Sequence, residues 1–269
     1  MKNDIVVTER IGAVMSIRLA SPSTRNSLTT ELREQLGHAV VLAGNDRHVR
    51  AVLLSAEGPT FCSGGDLHML KYACDPWSVH RRFQGLHQWL LPLLRLEKPV
   101  VVAINGAAVG GGMGIALAGD VAIAGESAKL MAGFFRLGVI PDIGILHLLP
   151  RLIGMAQTKN FLFGGDTLTA RQAEQLGLVS RVVPDDRLYD EALAQAQRLA
   201  AGPAEIMGLA KSLLARTFET GMGDMFAFEG LGQALAMSNP EFREGLSALL
   251  DKRPADFAGA ALGQKEADK

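Results

Sequence analysis

Residues 98–120 read KPVVVAINGAAVGGGMGIALAGD, and this stretch decides the fold that we predict for the chain. Val100–Ile104 is a β-branched run typical of a buried strand. Asn105-Gly106 then turns the chain, and Gly110–Gly112 leads into short apolar residues suited to a packed helix. A strand, a glycine turn and a helix in this order leave backbone N–H groups unpaired where a ligand oxygen can approach them. Two interpretations stay open from these residues alone: an oxyanion site near the middle glycine, or a tight crossing in which the glycines only allow close packing.

Residues 98–120 do not match the more specific motifs for nucleotide binding, and they are not interpreted as a membrane span. A dinucleotide-binding turn needs a small residue where the chain has Ile115, and an acidic residue at the end of the next strand, where Val121–Ala124 has none. A phosphate-binding P-loop needs a Gly-Lys-Ser/Thr triplet, which is absent from the stretch. A membrane span would have to bury Asn105, Asp120 and several glycines, so a buried strand–turn–helix unit explains the run better.

Length, charge and cysteine content limit the class of protein. The chain has 269 residues, of which 48% are hydrophobic and 20% charged, enough for one large domain with a sizeable core. A formal net charge of −1 gives no electrostatic reason to expect a nucleic acid or an anionic membrane as partner. Cys62 and Cys74 are the only cysteines, which argues against a disulfide scaffold or a structural zinc site. Residues 1–10 carry charges where a signal peptide needs an apolar segment, so we expect cytoplasmic residence.

Strand and helix patterns alternate as far as residue 183. We predict strands over 4–8, 13–19, 49–55, 100–104, 121–124 and 178–183, and helices over 31–43, 76–95, 158–165 and 169–176, the first and last of them capped by Thr29 and Thr169. This alternation predicts an α/β core with parallel strands. From residue 188 onward the pattern is helical. We therefore divide the chain into a core, 1–195, and a C-terminal helical region, 196–269, that covers the core or forms a subunit interface.

A second glycine turn, Phe61–Leu67, also links a strand to a helix. The N–H near Gly65 and an N–H of the first glycine turn could point at one oxygen, which is the geometry of an oxyanion hole. We interpret Asp66 as the N-cap of the helix that begins at Leu67, rather than as a catalytic group. Cys62 has no base placed by the sequence to activate it, so we expect a small buried side chain.

Asp142 is a lone carboxylate in an apolar neighbourhood, between Ile140 and Ile143. Local sequence leaves two roles open: an N-cap for the helix that follows, or a general base whose pKa is raised by its apolar surroundings. The six histidines show no spacing typical of metal ligands, and we predict no metal site.

Several separated motifs, taken together and in order, resemble the crotonase (enoyl-CoA hydratase/isomerase) superfamily over nearly the whole chain. The motifs are Arg25–Leu28, Phe61–Leu67, Lys98–Gly112, Leu137–Asp142, Ala173–Val179 and Phe242–Gly245. The resemblance implies a spiral of repeated ββα units with a helical C-terminal region, assembled as a homotrimer or a homohexamer. It also implies an acyl-CoA thioester as ligand, so coenzyme A is part of the substrate and no separate cofactor is expected.

The resemblance assigns a role to each glycine turn. The thioester oxygen would lie between the N–H groups of Gly65 and Gly111, which would stabilise an enolate oxyanion. Hydratases of the superfamily use two glutamates, and this chain has Gly114 and Phe134 at those positions. Asp142 instead matches the catalytic aspartate of some isomerases of the superfamily, including those that act on the ring epoxide of phenylacetate breakdown.

We therefore predict an acyl-CoA isomerase in which Asp142 moves a proton from one carbon to another. Phe134, Leu137 and Ile140 are expected to form a dry, apolar wall around it. The residues expected to bind substrate are Arg25, Ser63, Gly64, Asp66, Leu67, Phe134, Leu137, Ile140 and, from a neighbouring subunit, Lys252. Three alternatives stay open: an enoyl-CoA hydratase (a lyase) that uses Asp142 alone, an enzyme in which Asp142 attacks an acyl ring, and a non-catalytic member that binds acyl-CoA, RNA or a protein.

Overall fold

The structure is a computed structural model that describes residues 4–67, 71 and 75–263. Its strands are β1 Val6–Ile11, β2 Val14–Leu19, β3 Ala51–Ala56, β4 Val100–Ile104, β5 Ala107–Val109, β6 Val121–Gly125, β7 Lys129–Met131, β8 Thr167–Thr169 and β9 Arg181–Val183. Its α-helices, numbered in order, are α1 Thr30–Asn45, α2 Pro76–Gln84, α3 Leu86–Leu94, α4 Gly111–Ala116, α5 Ile145–Gly164, α6 Ala170–Gln175, α7 Leu188–Ala201, α8 Ala204–Leu214, α9 Met222–Ser238, α10 Pro240–Leu250 and α11 Phe257–Ala261.

The larger sheet has the strand order β1-β2-β3-β4-β6-β9. Strands β1 and β2 form an antiparallel hairpin, and every other neighbouring pair in this sheet is parallel. All five residues of β4 are buried, as are the first five of β3, because helices cover both faces of the sheet there. The predicted α/β core with parallel strands is confirmed.

A second, smaller sheet was missed in the sequence. Strands β5, β7 and β8 form it, and each is three residues long, which is too short for an alternating pattern to show. This sheet holds the first glycine turn in place, since the Gly110 N–H donates to the Met131 carbonyl at 2.9 Å.

The starts of the first and last predicted helices are confirmed to within one residue. The helix predicted over 158–165 has the wrong start, because it is the end of α5, Ile145–Gly164, which has a non-helical residue at Gly154. The Thr29 hydroxyl accepts a hydrogen bond from the Leu32 N–H at 3.1 Å, and Thr169 forms a capping box with Gln172, so both predicted caps are confirmed. The single helix predicted over 76–95 is wrong, because α2 ends and α3 begins on either side of Gly85. Glycine is a weak helix former, and the apolar spacing continues across it, so the pattern hid the break.

A buried ion pair ties the C-terminal helices to the sheet. Arg50, just before β3, donates to the carbonyl oxygens of Ala200 and Gly202 at 2.8 and 2.7 Å, and to Glu241 Oε1 at 2.7 Å. The side chains of Arg50 and Glu241 are 5% and 0% exposed. The boundary that we expected at residue 195 lies within α7, Leu188–Ala201. The division into 1–195 and 196–269 therefore remains a proposal about the roles of the two parts of the chain.

Candidate active site

The two glycine turns lie against each other. Cys62 pairs with Ala108 as an isolated parallel bridge, and the Val109 N–H donates to the Cys62 carbonyl at 2.9 Å. Gly64 has a φ of +82°, and a Cβ placed on it would lie 2.4 Å from the Val109 oxygen and 3.3 Å from the Gly111 nitrogen. Only glycine at position 64 therefore allows the turns to approach this closely.

Each turn carries an amide that has no acceptor among the described residues. Across the ranges that the structure describes, neither the Gly65 N–H nor the Gly111 N–H donates to another group of the chain. Gly65 is exposed and Gly111 is buried, and a Cβ on Gly111 would lie 2.8 Å from Ile143 and 2.9 Å from Leu28. Two unpaired amides on adjoining turns are the donors that an oxyanion hole requires.

Asn26 fixes the chain that supports the second turn. It is fully buried, its φ is +51°, and its side-chain oxygen accepts from the Ser21 N–H at 2.8 Å. Its side-chain nitrogen donates to the carbonyl oxygens of Glu57 and Thr60, both at 2.9 Å. Asparagine tolerates this left-handed backbone better than most residues. Asn26 belongs to the motif Arg25–Leu28, but its sequence neighbours give no sign of this role, because its hydrogen-bond partners Glu57 and Thr60 lie more than 30 residues away.

Asp142 is not a helix cap. Helix α5 begins at Ile145 with Gly144 as its N-cap, and no side chain caps it, so the cap interpretation is wrong. The Asp142 side chain is half-buried. Burial raises the pKa of the Asp142 carboxyl to about 6, and the positive charge of Arg82 opposes that rise. A carboxyl group that titrates near neutral pH is suited to both taking up and returning a proton.

The residue after Asp142 is strained and packs against the first glycine turn. Ile143 has a φ of +49°, which is rare for a β-branched residue. A Cβ on Gly114 would lie 2.3 Å from the Ile143 carbonyl oxygen. The backbone that carries Asp142 therefore occupies the space that a side chain at position 114 would need.

The predicted apolar wall is only partly present within one chain. Phe134 is 5% exposed, and its ring lies 3.7 Å from where a Cβ on Gly110 would be. Leu137 and Ile140 are 56% and 73% exposed, so the structure does not bring them into a dry wall. The reason is local: a 3-10 turn, 135–137, ends in the left-handed Gly138 and leaves the segment on the surface.

The other predicted substrate-binding residues lie at two separate places. Arg25 has an exposed side chain, and its carbonyl accepts from the Ser63 N–H at 3.0 Å, so it adjoins the second turn. Asp66 is half-buried and Leu67 is 60% exposed, but the cap predicted for Asp66 concerns a helix whose residues 68–70 lie outside the described ones. Lys252 is exposed with a φ of +54°, beyond the end of α10.

Only one of the two cysteines, Cys62, lies within the described residues. Cys62 is fully buried, and burial raises the pKa of its thiol to about 12, which agrees with a structural side chain. Cys74 lies outside the described residues.

The described ranges contain neither a candidate metal-binding cluster nor a candidate membrane span. Within them, no three or more His, Cys, Asp or Glu side chains are grouped so that they could hold a metal ion. None of the helices there is both long enough and apolar enough to cross a membrane.

Sequence reasoning missed Arg82, whose positive charge acts on Asp142. Arg82 lies on α2, sixty positions away along the chain, and no spacing rule connects a helix-surface arginine to a distant loop. The one sequence feature that could have indicated this role is the Arg81-Arg82 pair on a predicted helix. Such a pair more often marks a solvent-exposed helix face.

Comparisons with known proteins give one consistent result. A sequence model described as enoyl-CoA hydratase/isomerase matches residues 9–260. The chain is 36% identical to 1,2-epoxyphenylacetyl-CoA isomerase of Escherichia coli, over 91% of this chain and 95% of that protein. It is 33% identical to a probable enoyl-CoA hydratase of Rhodobacter capsulatus, over 90% and 93% of the two chains. The crystal structure of an enoyl-CoA hydratase/isomerase from Cupriavidus metallidurans superposes with a TM-score of 0.90 at 30% identity, covering 94% of this chain and 96% of that one.

Proposed function

The chain belongs to the enoyl-CoA hydratase/isomerase family and has its α/β fold, and from this we propose that it is an acyl-CoA isomerase that moves a carbon–carbon double bond relative to the thioester. The observation that carries the proposal is the loop at Asp142, whose backbone fills the space beside Gly114. The superfamily's hydratases carry a glutamate at the position of Gly114. This chain has no carboxylate there, and the half-buried Asp142 is the proton carrier that we propose instead.

The reaction needs one proton carrier and one oxyanion site. In the proposed mechanism the thioester oxygen accepts hydrogen bonds from the Gly65 and Gly111 N–H groups. Asp142 removes a proton from the carbon next to the thioester carbonyl, and the electron pair moves onto the oxygen as an enolate. The same carboxyl then returns the proton two carbons further along the chain, which shifts the double bond and restores Asp142. No atom is gained or lost.

The ionisation of Asp142 suits both halves of this cycle. With a pKa of about 6 the group is ionised at neutral pH and ready to act as a base. The raised pKa also makes the carboxylate a stronger base than an ordinary aspartate. Phe134 excludes water from the first glycine turn, because its buried ring packs on Gly110.

Hydration of the double bond by Asp142 alone is the second candidate function. It is favoured by the similarity to relatives whose names describe enoyl-CoA hydratases, such as the one from Rhodobacter capsulatus. The nucleophilic and non-catalytic alternatives have no comparable observation behind them.

The assembly and the cellular location belong to the same proposal. The C-terminal helices expose large apolar side chains, which mark an interaction surface: Leu214, Phe218, Met222, Phe226, Leu231, Leu235, Leu249 and Leu250. This supports a homotrimer or homohexamer, in which Lys252 reaches a neighbouring site, and light scattering on the purified protein tests it. Cytoplasmic residence stays a prediction.

The experiment that tests the function follows mass and double-bond position together. Purified protein is incubated separately with 3-hexenoyl-CoA and 2-hexenoyl-CoA, beside the variants Asp142→Asn and Glu9→Gln. Glu9 is an exposed carboxylate on β1 and serves as the charge-matched control. We expect interconversion of the two isomers without uptake of water, full activity in Glu9→Gln and loss of at least about 100-fold in Asp142→Asn. A product heavier by one water would establish the hydratase instead.

A further inference from the structure

A groove of ≈ 750 Å³ runs between α1 and the helix pair α2–α3. Its volume is within the usual range for sites that hold small organic ligands. Trp89, Gly37 and Val41 line its apolar part, and charged side chains from α1 and α2 line the rest.

The charged part of the groove is cationic. Arg33, Arg81 and Arg82 line it together with one carboxylate, Glu34. Arg81 lies 3.9 Å from Asp75 in an exposed pair, but among the described residues neither Arg33 nor Arg82 forms an ion pair with a carboxylate. Burial, and then the charge of Arg82, lower the pKa of Arg33, as expected for two half-buried cations facing the same space.

Hydrogen bonds to the start of α1 fix the position of one of these arginines. The Arg33 guanidinium is held in place by hydrogen bonds to the Thr29 carbonyl at 3.2 Å and the Thr30 hydroxyl at 3.1 Å. Two half-buried cations that form no ion pair with a described carboxylate, beside the single exposed carboxylate of Glu34, favour a ligand that carries an anionic acceptor.

The helices that form the groove also pack near the candidate active site. Leu28, two residues before α1, lies 2.9 Å from where a Cβ on Gly111 would be, and Leu90 of α3 lies 3.9 Å from the corresponding point on Gly144. The segment that leads into α1 therefore packs beside Gly111, α3 packs beside the loop that follows Asp142, and Arg82 in the groove is close enough for its charge to act on Asp142.

We propose that this groove receives the far end of the acyl group and selects acyl chains that end in a carboxylate, which Arg33 and Arg82 bind. The inference rests on the proposed function, because it places the thioester at the glycine turns and the reacting carbons at Asp142. A chain that continues past Asp142 reaches the two guanidinium groups, whose fork geometry matches a carboxylate.

The test measures binding of two unreactive thioesters, adipyl-CoA and hexanoyl-CoA, which have six-carbon acyl chains and differ in the terminal carboxylate. Both are saturated, so their dissociation constants do not depend on isomerase activity. Calorimetry is done on the wild type, Arg33→Met, Arg82→Met, Arg82→Lys and Arg10→Met, the last an exposed arginine on β1 that controls for net charge.

We expect the wild type to bind adipyl-CoA about tenfold more tightly than hexanoyl-CoA, the effect of one charge-assisted hydrogen bond. Arg33→Met and Arg82→Met should lose this preference, Arg82→Lys should keep part of it, and Arg10→Met should keep all of it. Equal binding of the two thioesters by the wild type would overturn the proposal. So would an equal loss of affinity for free CoA in the two methionine variants, because the groove would then hold the phosphates. An adipyl preference in a protein that isomerises no 3-enoyl-CoA would refute the isomerase function and leave the groove's specificity standing.

Discussion

Replacing Asp142 by asparagine should stabilise the protein while it removes the activity. Burial raises the pKa of Asp142 from 3.8 to about 6, so ionised Asp142 opposes folding. The folded state holds the proton more tightly than the unfolded chain, so stability is unaffected below about pH 4, falls as the pH rises towards 6, and stays reduced above it. A shift of about two pKa units corresponds to about 3 kcal/mol, and partial exposure of the group reduces the expectation to about 2 kcal/mol.

The assay is urea unfolding of the wild type, Asp142→Asn and Glu9→Gln at about pH 4.5, 6 and 8. The gain of Asp142→Asn over the wild type should grow with pH and reach its full size near pH 8, and Glu9→Gln should show no such growth. A gain that is the same at every pH would mean that the raised pKa is not its cause. No gain at pH 8 would refute the reasoning from burial.

Further predictions concern pH, the glycine turns and the buried ion pair. The kcat/KM of isomerisation should rise with an apparent pKa of about 6, and a flat profile would contradict general base catalysis by the aspartate. Gly64→Ala should cost more than about 1 kcal/mol in urea unfolding and reduce activity, because its Cβ would lie 2.4 Å from a carbonyl oxygen. Gly114→Glu should destabilise by about 1–3 kcal/mol and give no hydrated product by mass spectrometry, since the space beside it is filled. Glu241→Gln should cost about 3 kcal/mol by leaving Arg50 unpaired, whereas Glu219→Gln, which breaks an exposed pair, should cost less than about 1 kcal/mol.

Local chemistry made part of this site predictable. The glycine turns could be recognised because a close backbone approach demands glycine, and Cys62 was expected to be buried because no base accompanied it. The strained φ of Ile143 could not be predicted, because β-branched residues disfavour that conformation and only tertiary packing imposes it. The charged groove could not be predicted either. Arg33 and Arg82 lie on two different helices, and no sequence pattern indicates that these helices pack side by side.

The family resemblance supplied what local chemistry could not. On the residues alone, the cap was slightly favoured over the base for Asp142, and the structure removes the cap by placing Gly144 at the start of α5. The three-residue strands of the small sheet stayed invisible because they are set by pairing with one another and not by their own side-chain pattern.

The Arg50–Glu241 pair has a consequence for how the protein is made. Glu241 follows Arg50 by 191 residues, so the ribosome delivers the arginine long before its carboxylate. At about 5–20 residues per second the wait is roughly 10–40 s, longer than the folding time of many domains. During that interval the nascent sheet carries a cation that it cannot bury without cost, and the carbonyl partners at Ala200 and Gly202 also arrive late. Docking of α10 is therefore a late step in maturation, and a chain that stops short of α10 leaves Arg50 without its carboxylate partner.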